Sequence, residues 1–234
     1  MNKWRWPRLR AGIFTGGFTL LEIVVAIFIF AVVITTVFGS FRAVFSSTDA
    51  VGGDVALMAS ARTCLARMAT DMESAYIADY PLYRVPEFDD PPDPYRIVGD
   101  ATDLAGIHFS RLQFTSLAHL VLNRDPRQGI ARIIYYADQL PDDSLVLRRA
   151  DDLYPFPEFE ESEDDPILCD HLLDLKLVYV DDEGETQEQW DSESADNAYA
   201  TPRSVEVRLK VGTSSRPILF TTRIPLHVYR KAKE

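Results

Sequence analysis

The 234-residue sequence lacks the short motifs that mark the common catalytic and metal-binding sites. It contains no G-x-S-x-G nucleophile turn, no phosphate-binding loop and no H-E-x-x-H zinc motif. Its histidines are few, and their spacing does not match that of a zinc cluster: His108, His119, His171 and His227. We therefore expect no catalytic residue, no bound metal and no cofactor, and we predict that the protein is not an enzyme.

The sequence also has fewer basic than acidic residues. The chain has 24 Lys and Arg against 36 Asp and Glu, which gives a formal net charge of -12. Phosphate binding needs clustered Lys and Arg, so this composition disfavours a nucleic-acid partner. The acidic stretch 158–165 could collect Ca²⁺, but it lacks the alternating ligand and glycine pattern of an EF-hand loop, and we expect a solvated acidic loop.

One long run has no charge at all. No charged residue occurs from Ile23 to Phe41, and Arg42 ends the run. A helix of about 20 apolar residues covers roughly 30 Å, the thickness of the hydrocarbon core of a bilayer. Residues 1–15 contain four basic residues and no acidic one, which favours an N-terminus in the cytoplasm and the chain from Arg42 onward outside.

Glu22 stands at the start of this apolar segment, where a carboxylate is costly unless it finds a partner or stays near the interface. A cut after Gly17 would place a new α-amine on Phe18, four residues before Glu22, and an ammonium of that kind on a neighbouring chain would stabilise the carboxylate. An ordinary signal anchor whose glutamate reaches the headgroups is the alternative. Ordinary secretory signals are cut after the apolar core, however, whereas this cut would keep the apolar helix on the mature chain.

The stretch Gly17-Phe18-Thr19-Leu20-Leu21-Glu22 resembles the processing motif of type IV pilins and pseudopilins. This resemblance implies that a prepilin peptidase cleaves after Gly17 and that the new N-terminus, Phe18, is N-methylated. It also implies that Glu22 meets the N-terminal amine of an adjacent subunit during assembly. We accordingly expect a leader over 1–17 and the transmembrane half of a long helix over 18–41.

The spacing of apolar residues predicts that the helix continues over 42–80, its periplasmic half. Apolar residues recur at helical spacing and form one stripe: Val51, Val55, Met58, Leu65, Met68, Met72 and Tyr76. Charged residues lie largely off this stripe: Asp54, Arg67, Asp71 and Glu73. Tyr80-Pro81 should end the helix, because the residue before proline is pushed out of the α region.

An antiparallel β-rich globular domain is expected over 81–234. It opens with a proline-rich and acidic loop, 81–106, which we interpret as a connector without regular strands. Alternating apolar and polar residues then predict strands at 111–117, 130–136, 145–149, 175–180, 204–211 and 218–229. Pro225 should place the last of these at a sheet edge or a bulge. The fold class is thus α+β and pilin-like, with a long N-terminal helix packed on antiparallel sheets.

The order and the sequences of these strands resemble those of the J-type minor pseudopilins of type II secretion along nearly the whole chain. Examples are Leu112-Gln113-Phe114-Thr115-Ser116 and Leu147-Arg148-Arg149. The resemblance implies a subunit of the pseudopilus tip complex, which primes assembly for the export of folded proteins. Its implied partners are the I- and K-type minor pseudopilins, the major pseudopilin and the processing peptidase. It implies a single-pass protein of the bacterial inner membrane with its globular domain in the periplasm. The alternatives are a minor pilin of a type IV pilus or DNA-uptake system, and an anchored periplasmic enzyme.

Only two cysteines are present, Cys64 in the helix and Cys169 before a predicted strand. An oxidising periplasm would allow a disulfide if the helix and the sheet bring them together. Two buried free thiols are the alternative, and the sequence does not decide between them.

Overall fold

The computed structural model describes residues 19–79, 82–120 and 127–232, and it describes 41–54 by their backbone alone. The chain divides into two compact units between Gly53 and Asp54. The leader residues Gly17 and Phe18, and also Tyr80 and Pro81, lie outside the described residues.

A single α-helix, α1, covers Leu20–Glu73. Its first part, Leu20–Ser40, is long and apolar enough to cross a membrane, in agreement with the predicted span. Every side chain from residue 19 to residue 40 is exposed, so none of them belongs to a core formed by the described residues.

The helix ends at Glu73, earlier than the prediction of residue 80, which is therefore wrong. The backbone beyond it pairs with the end of a β-strand instead of continuing the helix. Ala75 and Ser116 form an antiparallel bridge, and the amide of Tyr76 donates to the carbonyl of Thr115 at 2.8 Å. These hydrogen bonds satisfy backbone groups that another helical turn would otherwise have satisfied.

The second unit contains two antiparallel sheets, which confirms the α+β class with an N-terminal helix. Its strands are β1 Val98–Leu104, β2 Ile107–Ser116, β3 Ala131–Gln139, β4 Leu145–Leu153, β5 Ile167–Cys169, β6 Leu172–Val180, β7 Thr186–Gln187, β8 Trp190–Asp191, β9 Ser204–Thr213 and β10 Arg216–Pro225. One sheet has six strands in the order β5-β4-β3-β2-β1-β8, and the other has four in the order β10-β9-β6-β7. A short 3₁₀ helix, Ala195–Asn197, lies between β8 and β9.

All six predicted strands are present, but the proline-rich loop is shorter than predicted. Strand β1 occupies 98–104 and pairs with β2 from Val98↔Gln113 to Leu104↔Ile107. The last proline of the loop is Pro94, so the backbone donors that a sheet needs are intact beyond it. Pro225 ends β10, which is an edge strand, as predicted.

The acidic stretch 158–165 contacts the six-stranded sheet, whereas we expected a solvated loop. Its acidic side chains are mostly exposed, but the carbonyls of Glu163 and Asp165 accept hydrogen bonds from Arg148 at 3.0 and 2.6 Å. Phe159 packs edge-on against Tyr136, with ring centroids 5.5 Å apart. The segment therefore covers part of β3 and β4 on the side away from the main core.

One apolar core joins the last turns of α1 to both sheets. The helix contributes Ala61, Cys64, Met68, Met72 and, just beyond its end, Ala75. Of the predicted stripe, Met68 and Met72 are buried in this core and Val55 and Met58 are exposed, while the side chain of Val51 lies outside the described residues. Asp71 was predicted off the stripe but is fully buried.

Candidate functional site

Of the predicted processing and assembly residues, the structure describes Glu22. Thr19 and Glu22 cap the first turn of the helix reciprocally. The backbone amide and the hydroxyl of Thr19 both donate to Glu22 Oε2 at 3.0 Å, and the amide of Glu22 donates to Thr19 Oγ1 at 3.2 Å. This is a capping box, in which two otherwise unpaired helix amides gain acceptors. It holds the Glu22 carboxylate at the helix N-terminus, and both bonds that the carboxylate accepts from Thr19 use the same oxygen.

A second group of functional side chains lies where the helix meets the six-stranded sheet. At its centre are Asp71 on α1 and Arg149 on β4, which are 0% and 1% exposed. Arg149 Nε donates to Asp71 Oδ2 at 2.7 Å, and Arg149 Nη2 donates to Asp71 Oδ1 at 3.2 Å. The pair is bidentate, the geometry in which a guanidinium and a carboxylate bind most strongly.

Two further donors complete the shell around Asp71. Arg67, one turn earlier on the helix, donates to Oδ1, and the hydroxyl of Tyr135 on β3 donates to Oδ2. A buried carboxylate is stable only when such partners replace the water it has lost. Asp71 therefore joins the helix to two neighbouring strands.

Arg149 also pairs with a second carboxylate, that of Asp151. Arg149 Nη1 donates to Asp151 Oδ2 at 2.5 Å, and the ring of His119 lies 2.5 Å from Asp151 Oδ1 through its Nδ1. The amide of Leu120 also donates to Asp151, at 2.8 Å. Two arginines thus face two carboxylates, so the cluster is neutral when His119 is uncharged. Among the described residues, Nε2 of His119 has no hydrogen-bond partner.

Two members of the cluster, Tyr135 and Arg149, have shifted pKa values. Burial raises the pKa of Tyr135 well above its usual value, and the adjacent charge of Asp71 raises it further. Burial alone would lower the pKa of the Arg149 guanidinium, but its bonds and its attraction to Asp71 outweigh this effect and raise the pKa. The charged forms of Arg149 and Asp71 therefore stabilise each other, while Tyr135 stays neutral.

Hydrogen bonds from β2 fix the end of the helix beside this cluster. Ser116 Oγ donates to the carbonyl of Asp71 at 2.8 Å, and the amide of Leu117 donates to the carbonyl of Ser74 at 3.0 Å. They satisfy carbonyls that the helix end leaves without an intrahelical partner. The same strand thus sets both the last turn of α1 and the position of Asp71.

A second buried arginine, Arg230, ties the C-terminal segment to three other parts of the globular unit. It donates to the carbonyls of Tyr199 at 2.7 Å, Ala78 at 3.0 Å and Ser192 at 2.7 Å. Its guanidinium lies 3.3 Å from the centre of the Tyr83 ring, a cation–π contact. All three nitrogen atoms of the guanidinium donate to backbone carbonyls of the same chain, so these bonds stabilise the fold.

The two cysteines come together in the core. Cys64 on α1 and Cys169 at the end of β5 are both buried free thiols. The two thiols lie close enough to shift each other's pKa, and Cys169 Sγ donates to the carbonyl of Asp170 at 3.7 Å. One turn before Cys64, Ser60 Oγ donates to Asp170 Oδ1 at 3.3 Å. The helix lies against the end of β5 at this point, and the pairing of the two cysteines stays a prediction.

Sequence reasoning missed the Asp71–Arg149 cluster, although two signals were available. Asp71 follows Arg67 by one helical turn, and Arg149 occupies the same face of β4 as the buried Leu147. A charged residue at a core-facing position of a strand requires a buried partner of opposite charge. The capping box was also readable, since a threonine three residues before a glutamate ahead of an apolar run is its signature.

Within the parts of the chain that the structure describes, no group of three or more His, Cys, Asp or Glu side chains could hold a metal ion. In comparisons with known proteins, the sequence model of the family described as "Type II secretion system (T2SS), protein J" matches residues 39–217. This range covers most of the chain, including the helix end, the buried cluster, the six-stranded sheet and the four-stranded sheet up to the first residues of β10. It begins after the processing motif, so that motif is independent of the match. A search of curated proteins found no match.

Proposed function

Since the chain belongs to the family of type II secretion system protein J, we propose that it is a minor pseudopilin in the tip complex that primes pseudopilus assembly. The family match over residues 39–217 is the observation that carries this proposal. The growing pseudopilus would then drive folded proteins through the outer membrane. The protein would act by assembly and not by catalysis.

The alternative is a minor pilin of a type IV pilus or DNA-uptake system. Both classes share the apolar helix and the processing motif, so the N-terminal segment does not separate them. The family match lies almost entirely beyond the apolar segment, in the part where the two classes differ, and it favours secretion.

The exposed apolar helix supports membrane anchoring. No side chain of segment Leu20–Ser40 is buried by the described residues, and such a surface is stable in a lipid bilayer or against the helices of other subunits. We place this segment in the inner membrane and the globular unit in the periplasm. The prepilin peptidase would cut after Gly17 and leave an N-methylated Phe18 at the start of the helix.

Glu22 would then guide assembly. The capping box orients its carboxylate toward the N-terminal end of the helix, and the Thr19 bonds leave Oε1 without a partner among the described residues. The ammonium of a neighbouring subunit could bind Oε1 while the capping box stays intact. A charge-assisted bond of this kind, shielded from water, is stronger than the same bond in water. The I- and K-type minor pseudopilins and the major pseudopilin are the neighbours that we propose.

The test is to replace the chromosomal copy with Glu22→Ala, using Ser40→Ala in the same apolar segment as the matched control. Both variants should insert in the membrane and should start at Phe18 by N-terminal sequencing. Glu22→Ala should lose co-purification with the I- and K-type subunits and should secrete little protein, whereas Ser40→Ala should behave as the wild type. Normal secretion and normal co-purification in Glu22→Ala would contradict the role of Glu22. Normal secretion after deletion of the whole gene would contradict the proposed function.

A further inference from the structure

The two cysteines are the only ones in the chain, and they lie together although they are 105 positions apart in sequence. Cys64 is 0% exposed and Cys169 is 1% exposed, and both belong to the core that joins helix and sheets. Since there is no third cysteine, no other pairing within one chain competes with this one.

A second contact fixes the same turn of the helix against the same strand end. Ser60 lies one turn before Cys64, and Asp170 directly follows Cys169; their side chains are joined by a hydrogen bond of 3.3 Å. A disulfide needs the two sulfur atoms to reach a bond length of about 2.05 Å, so its two cysteines must stand on neighbouring elements. The fold brings the helix turn that carries Cys64 against the strand end that carries Cys169, which is the arrangement that a cross-link needs.

We propose that Cys64 and Cys169 form a disulfide that locks the helix onto the edge of the six-stranded sheet. The proposal rests on the proposed function in one respect, the location of the globular unit on the oxidising side of the membrane. Strands β1 to β5 all lie between the two cysteines in sequence, so the cross-link would close a loop that holds most of this sheet.

The chemistry is a thiol–disulfide exchange with an oxidising dithiol–disulfide oxidoreductase. One cysteine thiolate attacks the disulfide of the oxidoreductase and forms a mixed disulfide, which releases one thiolate of that enzyme. The second cysteine thiolate then attacks the sulfur of the first, and the oxidoreductase leaves as a dithiol. The chain has lost two protons and two electrons, which the oxidoreductase has taken up.

The timing of the exchange follows from the surroundings of the thiols. In the folded dithiol, the interaction of the two thiols raises the pKa of Cys64 and lowers the pKa of Cys169, so any thiolate resides on Cys169. Both sulfur atoms are also closed off from a protein oxidant by the core around them. Oxidation therefore takes place during folding, before the helix closes over the strand end.

The first experiment measures the redox state of the full chain as cells make it. Thiols are blocked with N-ethylmaleimide in intact cells, and the protein is then extracted from the membrane for intact mass spectrometry under denaturing, non-reducing conditions. A chain with no adduct and a mass about 2 Da below that of the dithiol is the expected result. A chain that carries adducts, or a chain without adducts at the full mass of the dithiol, overturns the proposal.

The second experiment measures whether the bond locks the fold. The detergent-solubilised wild type should melt at least about 5 °C lower after reduction, because reduction frees a long loop in the unfolded state. The variant Cys64→Ala/Cys169→Ala should not change its melting temperature on reduction. Equal melting temperatures of oxidised and reduced wild type overturn the locking role. Neither readout depends on secretion or on partner subunits, so failure here leaves the proposed function untouched, and failure of that function leaves the mass measurement valid.

Discussion

Two stretches of the same helix, 20–40 and 61–73, meet opposite environments. In the first, every side chain is exposed although most are apolar, and among the described residues the carboxylate of Glu22 is hydrogen-bonded only within the capping box. In the second, the side chains facing the sheets are buried, and one of them, Asp71, is charged. Helical geometry is common to both, so the difference comes from what surrounds them. The first stretch needs partners from outside the chain, whereas the second finds them within it.

This contrast separates stability from assembly. Substitutions in stretch 61–73 should change the free energy of unfolding of the globular unit, because their contacts lie inside it. Substitutions in stretch 20–40 should leave that free energy unchanged and should act on membrane insertion or on the binding of other subunits. A variant that moved both quantities together would break the comparison.

The largest effect is expected for Asp71→Ala. The substitution leaves Arg149 charged and buried without its main partner, and it should lower the free energy of unfolding by about 3–5 kcal/mol. Urea unfolding of the detergent-solubilised full chain, followed by tryptophan fluorescence, measures this change. Glu73→Ala, two residues further along and exposed, is the matched control and should change it by no more than about 0.5 kcal/mol. Equal effects of the two variants would show that the cluster contributes little.

The same substitution at two methionines of the helix gives the next largest difference. Met68 is 0% exposed in the core, and Met58 is 36% exposed. Met68→Ala should cost about 2–4 kcal/mol, because it removes apolar contacts and leaves a cavity. Met58→Ala should stay within about 0.5 kcal/mol in the same unfolding experiment. A large loss at Met58 would mean that its side chain packs more tightly than its exposure indicates.

How far these features could be predicted depends on the range of the interactions. Strands such as 204–213 could be predicted from the sequence, because the alternation of apolar and polar residues is a local pattern that matches the two faces of a sheet. The early end of the helix at Glu73 was not readable, because β2 decides it through Ser116, far along the chain. The sequence positions of Asp71 and Arg149 each indicated a charged residue that needs a partner, but only the fold shows that the two pair with each other. The sequence could not decide whether Cys64 lies near Cys169 for the same reason, because the two residues are brought together only by the fold.

A smaller effect is expected for Tyr135→Phe, which removes one hydrogen bond to Asp71 but leaves the carboxylate paired with Arg149. The free energy of unfolding at neutral pH should fall by about 1 kcal/mol. The contact also predicts a pH dependence. The folded state raises the pKa of Tyr135, so above about pH 10 the unfolded chain releases a proton that the folded chain keeps, and stability falls.

Tyr135→Phe should therefore lose less stability than the wild type as the pH rises through about 10. Urea unfolding at neutral pH and near pH 10.5 measures both slopes. Other buried tyrosines, Tyr136 and Tyr179, also have raised pKa values and remain in the variant, so its slope should become shallower without vanishing. An unchanged slope would contradict the burial of a neutral Tyr135 against Asp71.

The smallest effect on unfolding belongs to the other stretch. Thr19→Ala removes the hydroxyl of the capping box and should leave the unfolding of the globular unit unchanged, because Thr19 contacts Glu22 and lies in the other unit of the chain. Its cost of about 1 kcal/mol should appear locally, as roughly fivefold faster hydrogen exchange at the first amides of the helix in detergent micelles. Ser40→Ala in the same segment should leave those amides unaffected. If Thr19→Ala lowered the free energy of unfolding as Tyr135→Phe does, the two stretches would be energetically coupled, and the division between an assembling part and a self-sufficient part would be wrong.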